Sequence, residues 1–131
     1  MSNILVVEDD SDLRDTYAEI LEFEGYSVHG VGSSADAIDS LIKLKPDLVI
    51  LDMQLNGESG TVVLSFIRKY PRLAATKVII ASGFVDMGMR AREWGADMFL
   101  AKPITAKLLI SSIEGLLREQ TERLHNLDSG S

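Results

Sequence analysis

The 131-residue sequence predicts a doubly wound α/β fold built on a five-stranded parallel sheet. Three observations predict it. Five short runs rich in β-branched and aliphatic residues alternate with five segments of helical period. The first, third and fourth runs are almost continuously apolar, as strands covered by helices on both faces must be. Glycine or proline stands at most of the helix ends.

In chain order, the first strand is Ile4-Leu5-Val6-Val7, and the helix after it puts Leu13, Tyr17, Ile20 and Leu21 on one face, with Gly25 as its stop. Ser27 to Val31 is the second strand. The second helix starts near Ser33 or Ser34, groups Ile38, Leu41 and Ile42, and ends before Pro46. Leu48-Val49-Ile50-Leu51 leads to a third helix carrying Val63, Phe66, Ile67 and Tyr70, which stops before Pro71. Lys77 to Ala81 is followed by a short, weakly patterned helix, roughly Val85 to Trp94, with Gly95 behind it. After Asp97 to Ala101, the last helix begins at a Thr105 cap and runs past Leu117.

Composition narrows the functional classes. Apolar residues make up 46% and charged residues 25%, ordinary for a globular domain. Without cysteine there is no disulfide framework and no thiolate chemistry, which fits a reducing, cytoplasmic setting. Apolar stretches fall far short of the ~20 residues that span a bilayer, and Met1-Ser2-Asn3 enters a strand with no signal-peptide pattern. A net charge of −7 repels nucleic acid and anionic membranes, so direct binding to either is not expected.

Ligands of open α/β sheets bind beyond the carboxyl ends of the strands. A phosphate-cradling protein of this class needs a glycine- or hydroxyl-rich loop after the first strand. Glu8-Asp9-Asp10 stands there instead, so a cation site is expected. Asp52 follows the third strand, Ser82 the fourth and Lys102 the fifth; only the second ends blandly, in Gly32-Ser33. Taken singly, the acids are helix caps or turn residues, Ser82 a turn hydroxyl and Lys102 a solvated lysine. Taken together on one rim, they make a site. Three converging carboxylates repel by ~1 kcal/mol per pair even in water, so a proton or a cation must relieve them. Hard oxygen donors suit Mg²⁺. A metal beside an ionised Asp, with a Lys opposite, suits phosphoryl transfer to the carboxylate.

The pieces Ile4-Leu-Val-Val-Glu-Asp-Asp10, Leu48-Val-Ile-Leu-Asp52, Gly57, Gly60, Ile79-Ile-Ala-Ser82-Gly83 and Gly95-Ala-Asp-Met-Phe-Leu-Ala-Lys-Pro103 carry a family resemblance in this order and spacing. Over about residues 3 to 117, the sequence resembles the receiver domains of bacterial two-component response regulators. The resemblance implies a flavodoxin-like (βα)5 fold with strand order 2-1-3-4-5. A receiver is expected over 1–117, and the residues after it, 118–131, are expected to form a helical extension and flexible tail. The resemblance makes Asp52 the phosphoacceptor and Glu8 and Asp9 the acidic pair, with the Gln54 carbonyl completing the Mg²⁺ ligands. Ser82 then stands where a hydroxyl meets the phosphoryl group, Lys102 where a lysine pairs with it, and Phe99 at the aromatic switch position. The Lys102–Pro103 bond is expected to be cis. A sensor histidine kinase or phosphotransfer protein is the implied donor. An output domain or effector protein, reached through the face of the fourth helix, fifth strand and fifth helix, is the implied receiver of the signal.

Two departures stand out. Asn56 replaces the proline usual four positions after the acceptor, which predicts a more mobile loop, and Glu8 replaces the commoner Asp. Two rival readings are weaker. An aspartyl-phosphate hydrolase looks for a second acid two positions after its nucleophile, where this chain has Gln54, so turnover beyond self-assisted phosphorylation and dephosphorylation is not expected. A pseudo-receiver typically lacks the acceptor Asp or the Lys, and this chain keeps both.

In the last helix, Ile110, Ile113, Leu117, Gln120, Leu124 and Leu127 follow a heptad-like 3-4 spacing. Its first half is expected to be core. Its second half is either a solvated tail or a signalling helix that pairs with a second copy or runs on into an output domain. A stripe this short, broken by Gln120, supports at most weak, concentration-dependent dimers.

Overall fold

Alternation along each strand divides the core into two layers. Leu5, Val7, Val49, Leu51, Val78 and Ile80 point to one face of the sheet, Ile4, Val6, Leu48, Ile50, Ile79 and Ala81 to the other. Both sets are buried, which is why these runs read as continuously apolar. The computed structural model describes residues 2–55, 57–83, 90–91 and 93–129, with side chains through Glu119. Strands β1 (Asn3–Val7), β2 (Ser27–Val31), β3 (Leu48–Asp52), β4 (Lys77–Ser82) and β5 (Met98–Ala101) form one parallel sheet. Its order is β2-β1-β3-β4-β5, the order expected above.

Helices α1 (Ser11–Phe23), α2 (Ser34–Leu44) and α3 (Thr61–Lys69) and a C-terminal helix (Ala106–Ser129) cover the two faces. Tyr17 and Leu21 of α1 share a layer with Leu109, Ile113 and Leu116 of the C-terminal helix, while Ala37, Leu41, Val63 and Ile67 of α2 and α3 fill the other. Polar residues start three of these helices. The Asp10 carboxylate accepts from the amides of Asp12 and Leu13, Ser33 from Asp36, and Thr105 from Leu108. Gly25, at φ +96°, turns the chain out of α1. The expected fourth helix, Val85 to Trp94, lies largely outside the described residues; within it, Arg90 and Ala91 are helical.

Two expected stripes are rotated. In α2, Leu41 is buried but Ile42 is 44% exposed, because the face that meets the sheet is completed by Ala37 and Ser40. In the C-terminal helix the buried stripe is Leu109, Ile113 and Leu116, and Ile110 and Leu117 lie half-buried on its flank. The helix backbone continues as one element through Ser129.

At the rim opposite the strand ends, Arg68 of α3 fastens three parts of the chain. Its guanidinium donates to the Gly95 carbonyl (2.6 Å), the Thr76 carbonyl (2.9 Å) and the Asp97 carboxylate (2.8 Å). The same Asp97 oxygen accepts the Val78 amide at 2.8 Å, tying the start of β4 to the approach to β5. Among the described residues, no helix is long and apolar enough to cross a membrane.

Candidate functional site

Parallel strands end on the same side, so their exits share a rim. Glu8 and Asp9 leave β1, Asp52 closes β3, Ser82 closes β4 and Lys102 follows β5. Glu8, Asp9, Asp52, Gln54, Ser82 and Lys102 line one open cavity there. Phe99 is half-buried in β5, packed on the α2–α3 layer and not among the cavity residues. The Lys102–Pro103 bond is cis.

One carboxylate oxygen from each of Glu8, Asp9 and Asp52 lies within 4.8 Å of the others. The repulsion expected of such a group is relieved in two ways. Lys102 Nζ sits 2.5 Å from Glu8 Oε1 and 3.3 Å from Asp52 Oδ2, bridging two of the acids. A proton is the second means. Burial pushes the Glu8 carboxyl from 4.5 up to about 7, with Asp52 and Asp9 adding to the rise and Lys102 opposing it. Burial alone would lower the Lys102 ammonium, but the hydrogen bond to Glu8 and the charges of Asp52 and Glu8 outweigh it and hold its pKa above the ordinary value.

Asp52 is held in a fixed orientation. Its Oδ1 accepts the Gln54 amide at 3.1 Å while Oδ2 faces Lys102. The chain then folds back closely, the Gly60 amide donating to the Met53 carbonyl at 2.8 Å. A Cβ on Gly60 would stand 2.4 Å from the Asp52 carbonyl, so this exit from β3 requires glycine. Beyond β3, Gln54–Leu55 pairs with Glu58–Ser59 as a short antiparallel hairpin. Ser34 at the start of α2 donates to Glu58 Oε2 at 2.7 Å and fastens that hairpin; Asn56 itself lies outside the described residues.

Residues 4–114 match the family described as the response regulator receiver domain. The chain belongs to this family. As a receiver domain it is similar to the transcriptional regulatory protein GltR of Pseudomonas aeruginosa, with 34% identity over 88% of this chain and 49% of that protein. Its fold resembles a CheY-like response regulator receiver domain protein from Methanospirillum hungatei. That likeness has TM-score 0.86 and 28% identity, and it covers 94% of this receiver and 98% of that chain. It also resembles NtrX from Brucella abortus, with TM-score 0.88 and 31% identity, over 97% of this receiver and 29% of that chain. This receiver spans about half the length of the curated relatives it matches.

The donor set of the receiver fits a hard divalent cation. Three carboxylates supply oxygen only, and the open cavity leaves room for the waters that Mg²⁺ retains. Sequence reasoning singled out six of the residues that line the cavity but passed over three that brace its surroundings: Ser34, Glu58 and Arg14. The Arg14 guanidinium donates to the Glu8 backbone carbonyl at 2.8 Å. A bond to a backbone acceptor leaves no side-chain pattern to read.

Proposed function

We propose that this receiver domain accepts a phosphoryl group on Asp52 from the phosphohistidine of a sensor kinase or phosphotransfer protein. The observation that carries this reading is the setting of Asp52, whose carboxylate meets those of Glu8 and Asp9 within 4.8 Å and lies 3.3 Å from Lys102 Nζ. An Asp52 oxygen attacks phosphorus, a new O–P bond forms, and the P–N bond to the donor imidazole breaks. The carboxylates of Glu8, Asp9 and Asp52, with the Gln54 carbonyl, are the groups that would hold Mg²⁺. The chemistry such an ion would supply when bound is neutralisation of charge on the phosphoryl oxygens.

The remaining work belongs to the chain. The Gln54 amide fixes the nucleophile, Lys102 exchanges its Glu8 partner for a phosphoryl oxygen, and the Ser82 hydroxyl donates to another. Ser82 and Phe99 are the switch residues. Their rearrangement alters the face built around β5 and the C-terminal helix, where an output domain or effector protein reads it. Residues 1–117 form the receiver, the helical extension beyond them continues through Ser129, and the setting is cytoplasmic. The domain turns over no external substrate and only assists its own phosphorylation and dephosphorylation.

The test is labelling with a small-molecule phosphodonor and Mg²⁺. One acid-stable, base-labile adduct per chain is expected, absent in Asp52→Asn, whose amide is isosteric but not nucleophilic. Undiminished labelling of that variant sinks the assignment.

A further inference from the structure

Arg14 lies outside the cavity, yet it reaches the backbone of the residue that opens the acidic pair. Its Nη1 donates to the Glu8 carbonyl at 2.8 Å, and the Glu8 amide donates to the Val31 carbonyl at 3.0 Å. Glu8 is therefore held at both its amide and its carbonyl. The carbonyl belongs to the peptide that joins Glu8 to Asp9, so the bond from Arg14 sets the plane from which both side chains depart.

The path of the arginine is built for it. A Cβ on Gly30 would stand 2.9 Å from Arg14 Cγ, and one on Gly32 would stand 2.8 Å from Arg14 Nη1. Two residues without side chains, at the end of β2 and just beyond it, leave the trough in which the arginine lies. A Cβ at either position would displace the Arg14 side chain from this path.

We infer that Arg14 is a positioning residue for the metal-binding loop: through the Glu8 carbonyl it orients the Glu8–Asp9 peptide so that both carboxylates face the cation. The inference rests on the reading of Glu8, Asp9 and Asp52 as the Mg²⁺ site. Partners that orient metal ligands from behind typically change metal affinity by about 10- to 100-fold when removed.

The experiment is calorimetric titration of the full chain with Mg²⁺, paired with phosphodonor labelling rates across Mg²⁺ concentration. It compares the unaltered chain with Arg14→Ala, Arg14→Lys and Gly32→Ala. Gly32→Ala keeps the arginine and its charge but sets a methyl carbon 2.8 Å from the position Nη1 now holds, so the guanidinium must shift. Arg14→Ala and Gly32→Ala are expected to weaken Mg²⁺ binding by about 10- to 100-fold, with the labelling rate recovering at saturating Mg²⁺. Arg14→Lys, which keeps one donor, falls between. If Arg14→Ala does not fold, Gly32→Ala decides. Unchanged Mg²⁺ affinity in the folded variants, or a lost maximal rate at unchanged affinity, overturns the role of Arg14 alone. Failure of the unaltered chain to bind Mg²⁺ overturns the reading of the site and this inference with it.

Discussion

Lys102 lies closer to Glu8 than to Asp52, at 2.5 Å against 3.3 Å. Before any metal or phosphoryl group arrives, the ammonium already supplies positive charge to the acids. It therefore competes with an incoming cation. Lys102→Ala should bind Mg²⁺ more tightly, by about fivefold or more, since a unit charge ~4 Å away contributes ~1 kcal/mol even at the dielectric constant of water. The same variant should lose the phosphorylation-dependent change in conformation. Weaker Mg²⁺ binding in a calorimetric titration would show that the lysine organises the site rather than occupying it.

The raised pKa of Glu8 gives the metal site a pH dependence of known sign. With the carboxyl at about 7, a proton must leave before Glu8 serves a cation. Mg²⁺ affinity should climb by up to about tenfold per pH unit below 7 and level off above it, and Glu8→Gln should flatten that slope. Metal-free stability runs the other way. Between about 4.5 and 7 the folded chain holds a proton that the unfolded chain has lost, so this contribution is full at low pH and disappears as pH rises through 7. Denaturant melts across this window, with and without Mg²⁺, check both signs.

Asp9 and Asp10 are adjacent but do separate jobs. Asp10 caps α1 through the amides of Asp12 and Leu13, whereas Asp9 belongs to the acidic group. Asp10→Ala should cost about 1 kcal/mol of stability and leave Mg²⁺ affinity nearly intact. Asp9→Ala should do the reverse. Finding the larger loss of metal affinity in Asp10→Ala would shift the ligand register by one residue.

Ser82 closes β4 with 1% of its surface exposed, facing the cavity that also holds Asp52 and Lys102. A hydroxyl bond to a charged phosphoryl oxygen contributes ~1.5–3 kcal/mol, roughly 10- to 150-fold in a two-state population. Ser82→Ala should still be labelled, yet show smaller amide shift changes in β5 and the C-terminal helix by NMR. A full-amplitude response leaves the hydroxyl no part in switching.

The C-terminal helix divides at Leu117. Among the described side chains its buried apolar stripe, Leu109, Ile113 and Leu116, lies before that point, so a chain ending at Leu117 should melt within a few degrees of the full chain. Sedimentation should show weak, concentration-dependent dimers for the full chain and monomers for the shorter one. Identical monomeric behaviour of both, phosphorylated or not, retires pairing through residues 118–131.

How much of this was legible depended on the kind of contact. Ile4 to Val7 and Leu48 to Leu51 announce themselves because both faces of each strand are buried. The rim follows from them, since parallel strands deliver their ends to one side. The phase of the last helix was not legible. Leu109, Ile110, Leu116 and Leu117 offer two apolar stripes of equal spacing, and only the contour of the sheet chooses between them. Nor was the hairpin, whose two-residue strands are too short to show a period. The Lys102–Glu8 pair joins residues 94 apart, and no local pattern records such a partnership.

Arg68 bears on how a signal leaves the domain. The crossover between β4 and β5 is pinned at both ends. At the rim the Lys102 amide bonds to the Ser82 carbonyl at 2.8 Å, and at the far edge the guanidinium grips Gly95, Thr76 and Asp97. In mechanical terms it is a beam clamped twice, with α3 bolted to the second clamp. In the switching proposed above, a displacement of Ser82 that slid α3 would first have to break these three charge-assisted bonds.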